Sequence, residues 1–66
     1  MSQQMSVQAV QQCIQMCQQT SAQLRNMANT ETDPMAKIKL SEGAHHLDLC
    51  IQECQYSLQQ MQSGMA

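Results

Sequence analysis

The four cysteines of this chain fall in two nearly identical segments, Cys13-Ile14-Gln15-Met16-Cys17-Gln18 and Cys50-Ile51-Gln52-Glu53-Cys54-Gln55. Within each pair the spacing is i, i+4, which on a helix brings both sulfurs to the same face, one turn apart. Thiols placed this way can hold a soft metal, close disulfides or cycle electrons. Thiolates suit Cu(I), zinc and iron–sulfur centres, and an i, i+4 pair lets two sulfurs reach one ion from a rigid element. The methionines, seven in all, add thioethers of similar softness. Ser–His–Asp sets, phosphate-cradling glycine loops and paired carboxylates are missing from the sequence. The acidic residues Glu31, Asp33, Glu42, Asp48 and Glu53 are expected on the surface, and the chain is not read as an enzyme.

The elements that must carry these thiols are two long helices around one break. The segment Asn29-Thr30-Glu31-Thr32-Asp33-Pro34 collects the turn formers. Asp33 followed by Pro34 reads as an N-cap and first helical residue, because proline lacks only an N–H that would be unpaired there. The helices are placed at about residues 3–28 and about 34–62, the second ending near Gly64. Apolar and small residues step by three and four along Val7, Val10, Ile14, Cys17, Ser21, Leu24 and Ala28. The second helix repeats the pattern at Leu40, Ala44, Leu47, Ile51, Cys54, Leu58 and Met61. Such seams belong to antiparallel or bundled helices. Cys13 and Cys50 lie about 40° to one side of them at the helical repeat, so all four thiols are expected to face inward. The expected fold is all-α: one antiparallel helical hairpin over residues 1–66, with two hairpins pairing into a four-helix bundle.

A turn at Asp33-Pro34 sets facing residues at numbers summing to about 67, and this tests the arrangement. Cys13 with Cys54 and Cys17 with Cys50 both meet that sum. The turn follows from capping chemistry alone, yet it brings the cysteines together layer by layer. His46 extends the line, since His46, Cys50 and Cys54 step by four on one helix, and it is a further candidate ligand. His45 points away from the thiols. Gly43 falls on the inner face, opposite Leu24. The same register would allow two inter-helix disulfides, Cys13–Cys54 and Cys17–Cys50. Metal binding is the first reading, a disulfide-stapled hairpin serving as a structural or chaperone-like module the second, and a dithiol redox protein the third. Cu(I) is the favoured ion, because it accepts two-sulfur coordination while structural zinc takes four ligands.

Composition bounds the partners. The net charge is −2, and the three basic residues Arg25, Lys37 and Lys39 are not clustered. Nucleic acid and anionic membrane surfaces therefore have no electrostatic footprint to bind. The first residues show no basic segment followed by an apolar run, and no apolar stretch approaches spanning length. A reducing cytoplasm is expected, where paired cysteines are more often metal ligands or redox groups than structural disulfides. With Tyr56 the only aromatic residue, the core is thin for a domain this small, which favours a staple, a metal or an oligomer. Ile38, Leu49 and Tyr56 form a second, sparser apolar line on the back of the second helix. Its counterpart on the first helix is a run of glutamines, so a homo-oligomer contact through Ile38, Leu49 and Tyr56 is expected.

At its two C-x-x-x-C motifs the chain resembles the cysteine-rich four-helix-bundle copper-binding and copper-storage proteins of bacteria. That resemblance implies Cu(I) held inside a bundle, Cys13, Cys17, Cys50 and Cys54 as ligands, and a pair of chains to supply four helices. The motifs are also similar to those of twin C-x-x-x-C helical hairpins, such as the small mitochondrial intermembrane-space chaperones and the plant hairpin peptides. This second resemblance implies disulfides joined outer-to-outer and inner-to-inner, as Cys13–Cys54 and Cys17–Cys50 would be.

Overall fold

The computed structural model describes residues 3–63. Within them the chain is two helices, α1 (Gln3–Thr30) and α2 (Pro34–Ser63), packed as a hairpin. Gly64 lies outside the described residues. The hairpin is a rod with extents of 50 × 14 × 14 Å.

The connection is short because both helix ends are capped by local side chains. Asp33 accepts a hydrogen bond from the Ala36 N–H at 2.8 Å through its carboxylate, while its carbonyl accepts the Lys37 N–H at 2.9 Å. This is N-capping with proline at the first helical position, as the sequence implies. Upstream, the Glu31 N–H closes the last turn of α1 on the Met27 carbonyl at 2.9 Å. The Glu31 carboxylate then accepts the N–H groups of Thr32 and Asp33, at 3.1 and 3.0 Å. With those donors satisfied, three residues suffice to reverse the chain.

The contact between the helices follows the seam read from the periodicity. Val7, Ile14, Ser21 and Ala28 of α1 are buried, and Val10, Cys17 and Leu24 alternate with them at half-burial. On α2, Ala44 and Ile51 are buried and Leu40, Leu47, Cys54, Leu58 and Met61 half-buried. The mid-hairpin residues are small: Ala44 is fully buried and Ser21 only 3% exposed, so the backbones approach closely there. Gly43 does face Leu24, whose Cδ1 lies 3.6 Å from where a glycine Cβ would stand. Five buried apolar side chains among the described residues, two of them alanine, make a thin core, since a two-helix contact has only one face to bury. Among the described residues, no helix is long and apolar enough to cross a membrane.

Candidate functional site

Two polar clusters sit in neighbouring layers near the middle of the hairpin, on opposite sides of its seam. The first contains the thiols. Cys17 of α1 lies near Cys50 of α2 across the helix pair, and Cys54 lies near Cys50 one turn along α2, close enough for the thiols to act on one another. Cys50 is thus the centre of the group, with Cys17 and Cys54 on either side and all three half-buried. The register that pairs residues summing to about 67 holds for Cys17 with Cys50.

Cys13 departs from expectation. It is exposed rather than turned inward. Ile14 takes the inward position in that layer, and a step of about 100° per residue turns Cys13 out on to the flank. It remains close enough for its charge to be felt at Cys17 and Cys54. His46 is exposed as well. Its ring lies beside that of His45, with centroids 6.3 Å apart. No three of the His, Cys, Asp and Glu side chains among the described residues are grouped so as to hold a metal ion.

Burial pushes the Cys17 thiol pKa up, and repulsion from the neighbouring Cys50 adds to this. Cys54 is raised first by burial, then by its hydrogen bond with Cys50 and the surrounding thiols. The causes all act in one direction, and no basic side chain is among them. Reactive cysteines need a nearby positive charge or helix N-terminus to bring the thiol pKa down; Cys17 and Cys54 have the opposite environment. All four cysteines are free thiols.

The second cluster is one that sequence reading missed. Asp48, expected among the surface carboxylates, is half-buried and crosses to α1. The Ser21 hydroxyl donates to Asp48 Oδ1 at 2.9 Å, with the Ala44 carbonyl oxygen a longer acceptor at 3.4 Å. Arg25 completes the group through Nη2 to Asp48 Oδ2 and Nη1 to Ser21 Oγ. Asp48 is held below the usual carboxylate range chiefly by the Arg25 bond and then by Ser21, against a smaller opposing effect of burial. A signal is present in the sequence: Ser21 with Asp48 nearly meets the register, and Arg25 follows Ser21 by one helical turn. The cluster closes on itself, acid to base to hydroxyl, and offers nothing further to a ligand.

The apolar residues on the back of α2 lie where the periodicity puts them, with Ile38, Leu49 and Tyr56 all exposed. The first helix is less uniformly polar than its glutamine back suggests. Met16 and Met27 are exposed on its thiol-bearing flank, Met16 at 65%. No family model matches this chain, and no curated protein or solved structure does.

Proposed function

We propose that this chain binds a soft monovalent cation, Cu(I), through pairs of thiolates on its two helices. The observation that carries the reading is the proximity of Cys17 and Cys50 across the helix pair, with Cys54 one turn along α2, all three half-buried and with no basic side chain acting on Cys17 or Cys54. Ionising such a group costs free energy through burial and mutual repulsion. A bound cation reverses both penalties, and Cu(I) does so with as few as two sulfurs. Cys17 with Cys50 supplies one ligand from each helix, while Cys54 and the exposed Cys13 extend the donor set. A closed zinc site or a four-cysteine iron–sulfur centre needs four convergent ligands, more than one hairpin brings together. Placing the chain in a reducing cytoplasm belongs to the same reading, since thiolate ligation needs reduced cysteines.

Association of two hairpins into a four-helix bundle is also part of the reading, because the core of one is thin. The exposed line Ile38, Leu49 and Tyr56 is one surface available for it.

Competition against a Cu(I) chelator tests the site. Wild type should retain Cu(I), and Cys50→Ser should lower the affinity at least a hundredfold because two of the contacts pass through it. Cys13→Ser should cost less than Cys17→Ser, and His46→Ala should cost little. Equal retention by wild type and the Cys17→Ser, Cys50→Ser double variant would remove the reading. The contact of Cys17 with Cys50 also favours a second reading, a disulfide staple between the helices. Peptide mapping of protein alkylated directly in cell lysate separates the two: a Cys17–Cys50 bond at full occupancy would replace the copper reading.

A further inference from the structure

The two C-x-x-x-C motifs are alike except beside the second thiol, where the first carries Met16 and the second Glu53. On α1 this adds a third sulfur to the pair. Counting about 100° per residue from the inward Ile14, Cys17 lies about 60° off the seam, Cys13 about 100° and Met16 about 160°, all on one side. Exposure follows the same order: Ile14 is buried, Cys17 half-buried, Cys13 exposed and Met16 65% exposed. Met16 follows Cys13 by three residues and Cys17 follows it by four, spacings at which helical side chains adjoin. The next sulfur inward is on α2, where Cys50 is near enough to act on Cys17, as Cys13 is. The second motif has no such series. Its Cys50 is itself half-buried, and the outermost place goes to the carboxylate of Glu53, a donor suited to harder cations.

We propose that Met16 and Cys13 form the entry site for Cu(I), and that the ion passes inward from this pair to Cys17 and then to Cys50. The proposal rests on the copper reading of the thiol group, and adds where the ion first binds and which sulfurs hand it on. Met16 suits the outermost place for a chemical reason. A thioether has no proton to lose, so it takes Cu(I) without the ionisation that burial and repulsion oppose at Cys17 and Cys54. Cu(I) accepts two sulfurs, so each move forms one Cu–S bond and breaks one. The successive pairs are Met16 with Cys13, Cys13 with Cys17, and Cys17 with Cys50. Copper stays Cu(I) throughout. Cys13 loses its proton to solvent on first binding and regains one when it lets go, and Met16 leaves as the neutral thioether. Loading Cys17 and Cys50 therefore releases two protons in all, and the delivering ligand departs intact.

Stopped-flow transfer of Cu(I) from its coloured bicinchoninate complex to the full, reduced chain separates entry from retention. The rate reads the first and the endpoint the second. Met16→Leu keeps a good helix former of similar size and removes the sulfur. It should slow transfer about fivefold or more and change retention less than about twofold, because the thioether is absent from the loaded site. Cys13→Ser should slow transfer further. Met27→Leu is the control. Met27 is 52% exposed, three turns beyond Met16, with no cysteine within a turn of it, and lies only about 20° round the helix from Met16. Its substitution should leave the rate unchanged. Equal rates for wild type and Met16→Leu, or a loss of rate matched by an equal loss of retention, would overturn the route and leave the copper reading standing. So would a slowing by Met27→Leu as large as that by Met16→Leu. Wild type that takes no Cu(I) from the chelator would remove the copper reading and the route together.

Discussion

The Ser21–Arg25–Asp48 cluster and the thiol cluster occupy neighbouring layers of one hairpin, and the same helix pair positions both. They differ in whether their charges are answered. Around Asp48 the carboxylate, guanidinium and hydroxyl satisfy one another, and the acid is stabilised in its charged form. Around Cys50 the ionisable groups acting on Cys17 and Cys54 are other thiols, and both are stabilised in their neutral form. The first arrangement fastens the helices and is complete. The second holds together as thiols but resists ionisation, which is the property expected where an external cation supplies the missing charge.

The largest expected effect comes from a change that disturbs both clusters together. Ala44 is fully buried and its carbonyl faces the Ser21 hydroxyl at 3.4 Å. Ala44→Leu forces a larger side chain between closely approaching backbones, an overpacking cost of about 1–3 kcal/mol. In a domain of this size that is about 4–8 °C of melting temperature per kcal/mol. The helices should separate enough for the half-buried Cys17 to alkylate nearly as fast as the exposed Cys13. Thermal melting by circular dichroism and alkylation followed by mass spectrometry would check this. A lowered melting temperature with Cys17 still slow would mean that the thiol layers pack independently of the Ser21–Ala44 contact.

The two clusters should also respond to opposite ends of the pH scale. The folded pKa of Asp48 lies below its ordinary value, so its contribution to stability is complete above the unfolded carboxylate value, about 3.9. It is lost as pH falls through the folded value. The folded pKa values of Cys17 and Cys54 lie above the ordinary thiol value, about 8.5. Their contribution is complete below that and is lost as pH rises through the folded values. Reduced, metal-free protein should therefore melt at a nearly constant temperature between about pH 5 and pH 8, and lower on either side. Arg25→Gln should weaken the acid limb alone. Cys17→Ser with Cys54→Ser should weaken the alkaline limb alone, as should Cu(I). An alkaline limb unchanged by the double serine variant would show that it arises elsewhere.

What the sequence disclosed about these clusters follows from the range of the interactions involved. The helices and turn were legible because capping and periodicity are local: Asp33 and Pro34 announce the start of α2 within four residues. The pairing of Cys17 with Cys50 was legible because a hairpin has one register once its turn is placed. The Asp48 cluster was not, since nothing near Asp48 in the chain distinguishes it from Glu42 or Glu53. Only the register, applied to charges as it is to cysteines, brings Ser21 and Arg25 to it. The exposure of Cys13 escapes for a finer reason. A residue well off the seam axis can fall on either side of the surface, and the closeness of helix approach decides which. Met16 is hidden in a similar way, because the glutamines mark the back of the first helix as polar and say nothing of its flank.

The smallest expected effect concerns Gly43, on the thiol side and two turns before Cys50. Glycine in a helix interior costs about 1 kcal/mol relative to alanine through backbone freedom in the unfolded chain. It is tolerated without loss only where the missing methyl makes room for something. Here a Cβ would lie 3.6 Å from Leu24 Cδ1, an ordinary van der Waals separation. Packing therefore does not require glycine, and Gly43→Ala should raise stability by up to about 1 kcal/mol. That corresponds to about 4–8 °C in melting temperature for a domain of this size. The matching change on the other side of the seam, Ser21→Ala, should lower stability by about 1 kcal/mol through the lost hydrogen bond to Asp48. Opposite signs in these two melts would confirm that the Asp48 side is held by specific bonds and the thiol side by looser contact. A fall in melting temperature for Gly43→Ala would mean that the helices approach more closely beside the thiols than Leu24 allows for, and would erase the contrast between the two sides.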